Sequence, residues 1–167
     1  MEGLWYTVII MATIYLALGS NVGIGDQQFD DTITALKEQL TNIRQAKRYT
    51  SKAVGFIDQP DFLNTVIEAT TTLSPKDLLS FTQVTEQAIG RIRRFRWRPR
   101  EIDIDIIFYD DVIVNEPDLI LPHPRFAERD FVLKPLCDLN PDGIDPISRK
   151  TVHELYSQLP ERNVSII

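Results

Sequence analysis

The segment from Glu101 to Phe108 alternates acidic and apolar residues over its first six positions. A period of two residues is typical of a β-strand with one buried face, because successive side chains point to opposite sides of the sheet. The pattern therefore predicts that the isoleucines enter the core, while Glu101, Asp103 and Asp105 share the other face. Neighbouring carboxylates on that face are about 7 Å apart along the strand, and two of them can hold hard cations such as Mg²⁺.

A cluster of arginines comes directly before this acidic strand. Six arginines occur within ten positions, at Arg91, Arg93, Arg94, Arg96, Arg98 and Arg100. Guanidinium groups bind phosphate oxygens, and cations neutralise the charge that develops during phosphoryl transfer. Arginines next to a possible two-metal carboxylate pair thus indicate polyphosphate chemistry. Two alternatives stay open at this point: a nucleic-acid contact for the arginines, and protection of a sheet edge for the acids.

Length and charge narrow the class of protein. The chain has 167 residues and 43% hydrophobic residues, which suits one domain with a substantial core. The net charge is −6, yet six of the 18 basic residues lie in the arginine cluster. A general nucleic-acid binder spreads its positive charge more widely, so one concentrated site favours a small, highly charged ligand.

Few residues are available for disulfide or zinc chemistry. Cys137 is the single cysteine, which excludes an intrachain disulfide and favours a reducing, cytoplasmic location. The two histidines, His123 and His153, are too few to favour a zinc site of histidine and cysteine.

Residues 1–10 are interpreted as an extension or extra strand, because the apolar N-terminus is too short to cross a bilayer. Residues 11–160 are expected to form the catalytic domain, and 161–167 a tail.

The periodic segments predict an α+β fold. Strands are predicted at 13–18, 62–72 and 101–109 and more weakly at 44–54, with helices starting near 26–31 and at Ser74. The order strand, helix, strand, strand, helix, strand matches a ferredoxin-like plan, in which helices pack on an antiparallel sheet. Ser74 and Pro75 are typical of a helix start, and Gly90 is expected to end that helix.

Shorter elements are predicted for the last third of the chain. A short strand at 112–114 should follow the acidic strand, and 126–136 should form a helix that Pro135 stops. A further short helix is expected at 151–159.

Five blocks of the sequence resemble a known family. In chain order they are ALGSN at 17–21, DQPDFLN at 58–64, E-x-x-x-G-R-x-R at 86–93, RPREIDIDI at 98–106 and LPHPRFAERDFVLKPL at 121–136. Together, over about residues 11–159, they closely resemble the 6-hydroxymethyl-7,8-dihydropterin pyrophosphokinase family. The resemblance implies a ferredoxin-like α+β fold and an enzyme of folate biosynthesis, a 2-amino-4-hydroxy-6-hydroxymethyldihydropteridine diphosphokinase. Such an enzyme transfers pyrophosphate from ATP to the pterin hydroxymethyl oxygen and releases AMP.

The resemblance also implies a role for each matched residue. Asp103 and Asp105 would hold two Mg²⁺ ions, and Arg91 and Arg100 would serve the transfer. The implied ATP contacts are Gln83, Arg93, Arg96, Trp97, Arg100, His123 and Arg129. The implied pterin contacts are Phe62, Asn64, Trp97 and Phe131. The expected partners are ATP and the pterin, without nucleic acid or a membrane, and the chain is expected to act as a monomer or weak homodimer.

Several of these residues have a simpler structural explanation. Phe62 and Phe131 could be core aromatics, which are common in buried positions. Asn64 could cap a turn, and His123, between two prolines, could brace a loop. A core aromatic should be fully buried and a turn cap should lie in a turn, whereas residues that contact a ligand should line a cleft.

Two alternatives concern the function of the whole chain. The first is an RNA-binding ferredoxin-like module that uses the basic segment. The second is a relative that binds pterin or nucleotide without turnover, because Arg98 stands where the family usually has glycine or alanine. Glu86 could equally pair with Arg91 or Arg93 or contact a ligand, and it is therefore left out of the catalytic set.

Overall fold

The computed structural model describes residues 9–21, 25–52, 61–92 and 102–166, except for the side chains at 21, 91, 92, 165 and 166. Its strands are β1 (Ala12–Asn21), β2 (Thr41–Gln45), β3 (Tyr49–Ser51), β4 (Phe62–Thr71), β5 (Ile102–Tyr109), β6 (Val114–Glu116), β7 (Leu119–Leu121) and β8 (Ser165–Ile166). Its helices are α1 (Gly25–Leu36), α2 (Pro75–Ile92), α3 (Asp130–Leu139) and α4 (Val152–Ser157), with a 3-10 turn at Phe126–Glu128.

Six of the described strands form one antiparallel sheet in the order β5–β1–β4–β3–β8, and β2 pairs with β4 alongside β3. Strand β1 lies between β4 and β5 and pairs antiparallel with both. Strands β6 and β7 form a separate hairpin. The central position of β1 and the ferredoxin-like α+β fold confirm the sequence predictions. Strand β8 lies in the predicted tail and adds to the edge of the sheet next to β3.

The helices cover the two faces of the sheet. On one face α1 and α2 bury a cluster that includes Phe29, Leu78 and Ile104. On the other face α3 and α4 bury a second cluster that includes Leu133 and Leu155. The described residues cover this second face only in part. Helices α3 and α4 pack over one end of the strands, and the other end borders the cleft described below.

Helix α2 begins as predicted but ends later. The backbone N–H of Asp77 donates to Ser74 Oγ at 3.2 Å, and the Ser74 hydroxyl donates to Asp77 Oδ2 at 2.8 Å. The prediction that Gly90 ends the helix is wrong, because α2 continues to Ile92. Ile89, in this last turn, is only 4% exposed and packs into the core. This packing outweighs the modest cost of a glycine inside a helix.

Pro135 does not stop a helix, contrary to the prediction. It lies inside α3, which starts at Asp130 rather than at Phe126 and runs to Leu139. A proline inside a helix removes one backbone hydrogen bond and costs about 3 kcal/mol. Leu133 and Leu136 of the same helix are fully buried, and burial of each contributes roughly 1.5–3 kcal/mol. Packing against the sheet therefore holds α3 together through the proline.

Smaller differences from the predictions concern the short strand after β5 and the N-terminal segment. The short strand predicted at 112–114 is β6, which begins at Val114 and pairs with β7. Asp110 has a positive φ of 45° and turns the chain after β5, which delays the start of β6. At the N-terminus, Ile9 and Ile10 are exposed, whereas residues 1–8 of the predicted extension lie outside the described residues. None of the helices in the described ranges is long and apolar enough to cross a membrane.

A hydrogen-bond network joins β1, β2 and β4 at the end of the sheet away from the cleft. The Tyr15 hydroxyl donates to Glu68 Oε2 at 2.6 Å, and Asn140 Nδ2 donates to the Tyr15 oxygen at 3.0 Å. Arg44 donates to both carboxylate oxygens of Glu68 at 2.9 Å. Burial, followed by the hydrogen bond to Glu68, raises the pKa of Tyr15 to about 12.

This pKa predicts a loss of stability in alkaline solution. The hydroxyl ionises near pH 10 in the unfolded chain, so its contribution is complete below pH 10 and is lost as the pH rises towards 12. The difference in unfolding free energy between the wild type and Tyr15→Phe should shrink by about 1 kcal/mol between pH 8 and pH 11. Urea unfolding at each pH measures it. Tyr156→Phe, outside this network, is the control; an unchanged difference for Tyr15→Phe would contradict the assignment.

Candidate active site

A cleft of about 370 Å³ lies on the α3 side of the sheet, at the end of the strands that α3 and α4 leave uncovered. Its floor comes from β1, where Ala17 and Gly19 have small or no side chains. Gly19 is paired with Asn64 of β4 on one side and with Asp103 of β5 on the other. Directly opposite residues of antiparallel strands point to the same face, so the amide and the carboxylate stand on the two sides of one glycine.

The acidic strand has the predicted alternation. Ile102, Ile104 and Ile106 are at most 5% exposed, whereas Asp103 is exposed and the Asp105 side chain is 45% exposed. Both carboxylates line the cleft. Glu101, the third predicted member of this face, lies outside the described residues.

The two carboxylates fit a magnesium site in their chemistry. Mg²⁺ prefers oxygen ligands and keeps several waters, so one or two carboxylates facing a water-accessible cleft suit it. Among the described residues there is no group of three or more His, Cys, Asp or Glu able to hold a metal. An ion at Asp103 and Asp105 would thus complete its coordination with water or substrate oxygens.

Two cationic or polar side chains face Asp105. Arg129 Nη1 is 3.7 Å and His123 Nε2 is 4.0 Å from Asp105 Oδ2. The backbone N–H of Arg125 donates to His123 Nδ1 at 3.1 Å, so the proton of the neutral ring is on Nε2. The pKa of His123 is lowered, mainly because the ring is buried. The charge of Asp105 opposes this shift, whereas the positive charges of Arg129 and Arg125 add to it. The ring is therefore neutral at pH 7 and presents an N–H towards Asp105.

Asn64 and the two phenylalanines line the wall of the cleft. Asn64 is 6% exposed and lies inside β4, which excludes the alternative that it caps a turn. Its Nδ2 donates to Ser51 Oγ at 2.8 Å, while its Oδ1 lies 3.6 Å from the point where a Cβ on Gly19 would stand. Phe62 and Phe131 are half-buried and line the same cleft, so neither is a fully buried core aromatic.

A second cavity, of about 270 Å³, also has Asp105 in its lining. Its other walls come from α2, β7 and the loop that follows β7, with Leu79, Asp118, Ile120, His123 and Pro124 among the lining residues. Asp105 lines both cavities. Two ligands, one in each cavity, would thus meet at this carboxylate.

The other predicted site residues are not all brought to the cleft. Gln83 is exposed on α2, the helix that packs on the opposite face of the sheet. Arg91 is in the last turn of α2, and its side chain is not described. The remaining predicted residues lie outside the described residues, namely Arg93, Arg96, Trp97 and Arg100.

Sequence reasoning assigned no site role to Gly19, Ser51 or Lys52, although all three line the cleft. Gly19 is part of the ALGSN block, so its position in a family motif was a signal that could have been used. Ser51 and Lys52 carry no comparable local signal. Their position depends on the pairing of β3 with β4, which local patterns do not specify.

Comparison with known proteins agrees with the resemblance in the sequence blocks. The profile of the 7,8-dihydro-6-hydroxymethylpterin-pyrophosphokinase family matches residues 15–141. The 2-amino-4-hydroxy-6-hydroxymethyldihydropteridine pyrophosphokinase of Aquifex aeolicus is 44% identical over 144 residues, which cover 86% of this chain and 90% of that protein. The Bacillus subtilis protein of the same name is 39% identical over 127 residues, covering 75% of this chain and 76% of its own length.

Larger proteins contain a similar region. The folic acid synthesis protein fol1 of Pneumocystis carinii is 36% identical over 90% of this chain, which spans only 20% of that protein. A crystal structure of a Plasmodium falciparum HPPK-DHPS variant has the same fold, with a TM-score of 0.73 and 16% identity. The match covers 90% of this chain and 46% of the solved one. The chain belongs to the 7,8-dihydro-6-hydroxymethylpterin-pyrophosphokinase family.

Proposed function

We propose that this chain transfers pyrophosphate from ATP to the hydroxymethyl group of 6-hydroxymethyl-7,8-dihydropterin and releases AMP, in a Mg²⁺-dependent step of folate biosynthesis. In this reaction the hydroxymethyl oxygen forms a bond to the β-phosphorus of ATP, and the bond from that phosphorus to the α,β-bridging oxygen breaks. AMP leaves with the bridging oxygen, and the hydroxyl proton passes to water. The observation that carries the proposal is the row Asn64, Gly19 and Asp103, which sets an amide for a flat ring next to a carboxylate for a metal. The similarity to proteins named as this pyrophosphokinase supports it.

The pterin would bind in the larger cleft, against the β1 floor. A flat heteroaromatic ring gains from aromatic faces and from an amide oxygen that accepts a hydrogen bond from its N–H groups. Phe62 and Phe131 offer the faces and Asn64 the amide. The Oδ1 atom of Asn64 is the group of this residue nearest Gly19, while Ser51 holds the amide nitrogen and fixes its orientation.

ATP would approach from the second cavity, which shares Asp105 with the pterin cleft, so that its triphosphate reaches this carboxylate. His123 borders this cavity, and Arg129 borders the pterin cleft, with both beside Asp105. A neutral His123 donates a hydrogen bond without adding charge, and Arg129 can bind phosphate oxygens through its fork of N–H groups. In-line transfer at phosphorus needs positioning and charge neutralisation more than a dedicated base.

Asp103 and Asp105 would hold two Mg²⁺ ions, which supply charge neutralisation and alignment of the phosphate oxygens when bound. By family resemblance, Arg91 and Arg100 would act on the transferring group, and Gln83, Arg93, Arg96 and Trp97 would contact the nucleotide, with Trp97 also covering the pterin. We expect the enzyme to act in the cytoplasm as a monomer or weak homodimer, without nucleic acid or a membrane.

One assay tests the proposed function. The purified chain is incubated with ATP, Mg²⁺ and the reduced hydroxymethylpterin, and AMP and pterin pyrophosphate are measured together. Equal amounts of both products, dependent on all three additions, are expected. Pterin binding by fluorescence without AMP would instead indicate a relative that binds but does not turn over. Salt-sensitive RNA binding without AMP would favour the RNA-binding alternative.

Arg100→Ala should lower kcat by about a hundredfold or more, because an arginine that acts in the transition state contributes more to turnover than to ATP binding. The Kd for a non-hydrolysable ATP analogue should change much less. The matched control is Arg98→Ala, which removes the same charge from the same segment at a position where the family usually has a small residue. Steady-state kinetics and calorimetry measure both variants. An unchanged kcat with weaker analogue binding would assign Arg100 to binding alone.

A further inference from the structure

Strand β5, which carries both proposed metal ligands, is an edge strand of the main sheet that the described residues form. Its neighbour in that sheet is β1, so alternate backbone groups of β5 point away from the sheet. Groups of this kind on an edge strand must be hydrogen-bonded by water, by a side chain or by backbone outside the sheet, as the backbone N–H of His123 does for the carbonyl oxygen of Ile107 at 3.0 Å. The way in which this edge is held therefore matters for Asp103 and Asp105.

A side chain from α2 takes one of these outward groups. The backbone N–H of Ile104 donates to Glu86 Oε1 at 2.6 Å. Ile104 is the residue between Asp103 and Asp105, and its own side chain is buried on the opposite face. Glu86 thus binds the backbone midway between the two carboxylates, from the side of the sheet edge.

We infer that Glu86 is a positioning residue that holds the β5 backbone so that Asp103 and Asp105 point together into the cleft. Glu86 is not among the described residues that line either cavity. Its bond to the Ile104 N–H therefore gives it an effect on the site through the backbone. This inference rests on the proposed function, because it assigns Glu86 a role in the metal affinity of that same site.

Three features support a positioning role over a general structural one. Asp103 and Asp105 are the two residues on either side of Ile104 in β5, so a shift of this one backbone group moves both carboxylates. A hydrogen bond to a charged carboxylate is about twice as strong as a neutral one, which suits a partly exposed edge. The bond also joins the second half of α2 to β5, the two elements that flank the arginine-rich segment.

The first test follows the backbone itself, without any metal or substrate. Amide hydrogen exchange of Ile104 should be faster in Glu86→Ala than in the wild type, and close to the wild type in Glu86→Gln, whose side-chain oxygen can still accept the bond. Gln87→Ala, an exposed change on the same helix, is the control and should leave Ile104 unchanged. An equally protected Ile104 in Glu86→Ala would overturn the inference.

The second test measures the metal. Mn²⁺ binding in the presence of a non-hydrolysable ATP analogue is followed by electron paramagnetic resonance. The Mn²⁺ Kd should rise about tenfold in Glu86→Ala, as expected when a supporting interaction of a metal site is lost. In Glu86→Gln it should rise by less than about threefold, because the acceptor remains although the bond is weaker. Thermal melting of each variant checks that it is folded; should Glu86→Ala not fold, Glu86→Asp shortens the side chain and should give the same direction of change.

The outcomes separate this inference from the proposed function. If the wild type forms no AMP, the proposed function fails, while exchange at Ile104 and Mn²⁺ binding still test Glu86. If Glu86→Gln loses Mn²⁺ affinity as strongly as Glu86→Ala while Ile104 stays protected, the carboxylate acts directly on the ligand and the positioning role is wrong.

Discussion

Asp103→Ala is expected to lower AMP formation by about a thousandfold or more. The variant removes one of two carboxylates proposed to hold Mg²⁺, whose charge stabilisation is worth several kcal/mol, and about 1.4 kcal/mol corresponds to each factor of ten. The fold should be unaffected, because Asp103 is exposed and its strand neighbours Ile102 and Ile104 supply the packing. Steady-state AMP release and thermal melting measure the two effects.

The matched control for this prediction is Asp111→Ala. Asp111 is an exposed acid in the turn after β5, outside the lining of the cleft in the described part of the chain. It should retain wild-type turnover with a similar melting temperature. Near-normal AMP release by Asp103→Ala would remove the metal assignment, whereas equal losses in both variants would indicate a general effect of net charge.

Gly19→Val is expected to raise the KM for the pterin by about a hundredfold, while Gly19→Ala should raise it by less than about tenfold. A Cβ at Gly19 would stand 3.6 Å from Asn64 Oδ1, an ordinary contact distance, so alanine fits beside the amide. The methyl groups of valine reach further into the space above the floor, and overpacking of this kind costs typically 1–3 kcal/mol, or about 5- to 150-fold in affinity.

Both glycine variants should fold, since Gly19 is inside β1 and valine is favoured in strands. Fluorescence titration with the pterin and steady-state kinetics measure the effect, with the KM for ATP as the internal comparison. A Gly19→Val protein that binds pterin normally would mean that the ring does not lie on the β1 floor. A parallel loss of ATP affinity would indicate a wider distortion of the sheet.

The sequence predicted the parts of the fold that depend on local patterns. The two-residue period around Asp103 identified β5 and the direction of its side chains, and Ser74 with Pro75 identified the start of α2. Both signals act within a few residues, where the backbone geometry leaves few choices. The family resemblance supplied the roles of distant residues, which local periodicity cannot.

Long-range pairing and packing were beyond the local patterns. The alignment of Asn64, Gly19 and Asp103 depends on the register of three strands that are far apart in the chain. Pro135 was predicted to end a helix because its local penalty is clear, whereas the burial of Leu133 and Leu136 that outweighs it becomes visible only in the folded protein. The bond from the Ile104 backbone to Glu86 joins residues 18 positions apart, whereas the side chains of Arg91 and Arg93, its predicted partners, lie outside the described part of the chain.

Strand β8 has a practical consequence for biochemical work. It pairs with Tyr49 and Thr50 of β3, and the next residue of β3, Ser51, accepts the hydrogen bond from Asn64 in the cleft wall. Loss of residues 165–166 would leave Tyr49 and Thr50 of β3 without this pairing, one residue away from the serine that orients Asn64. Pterin affinities should therefore be measured on protein that retains residues 165–166.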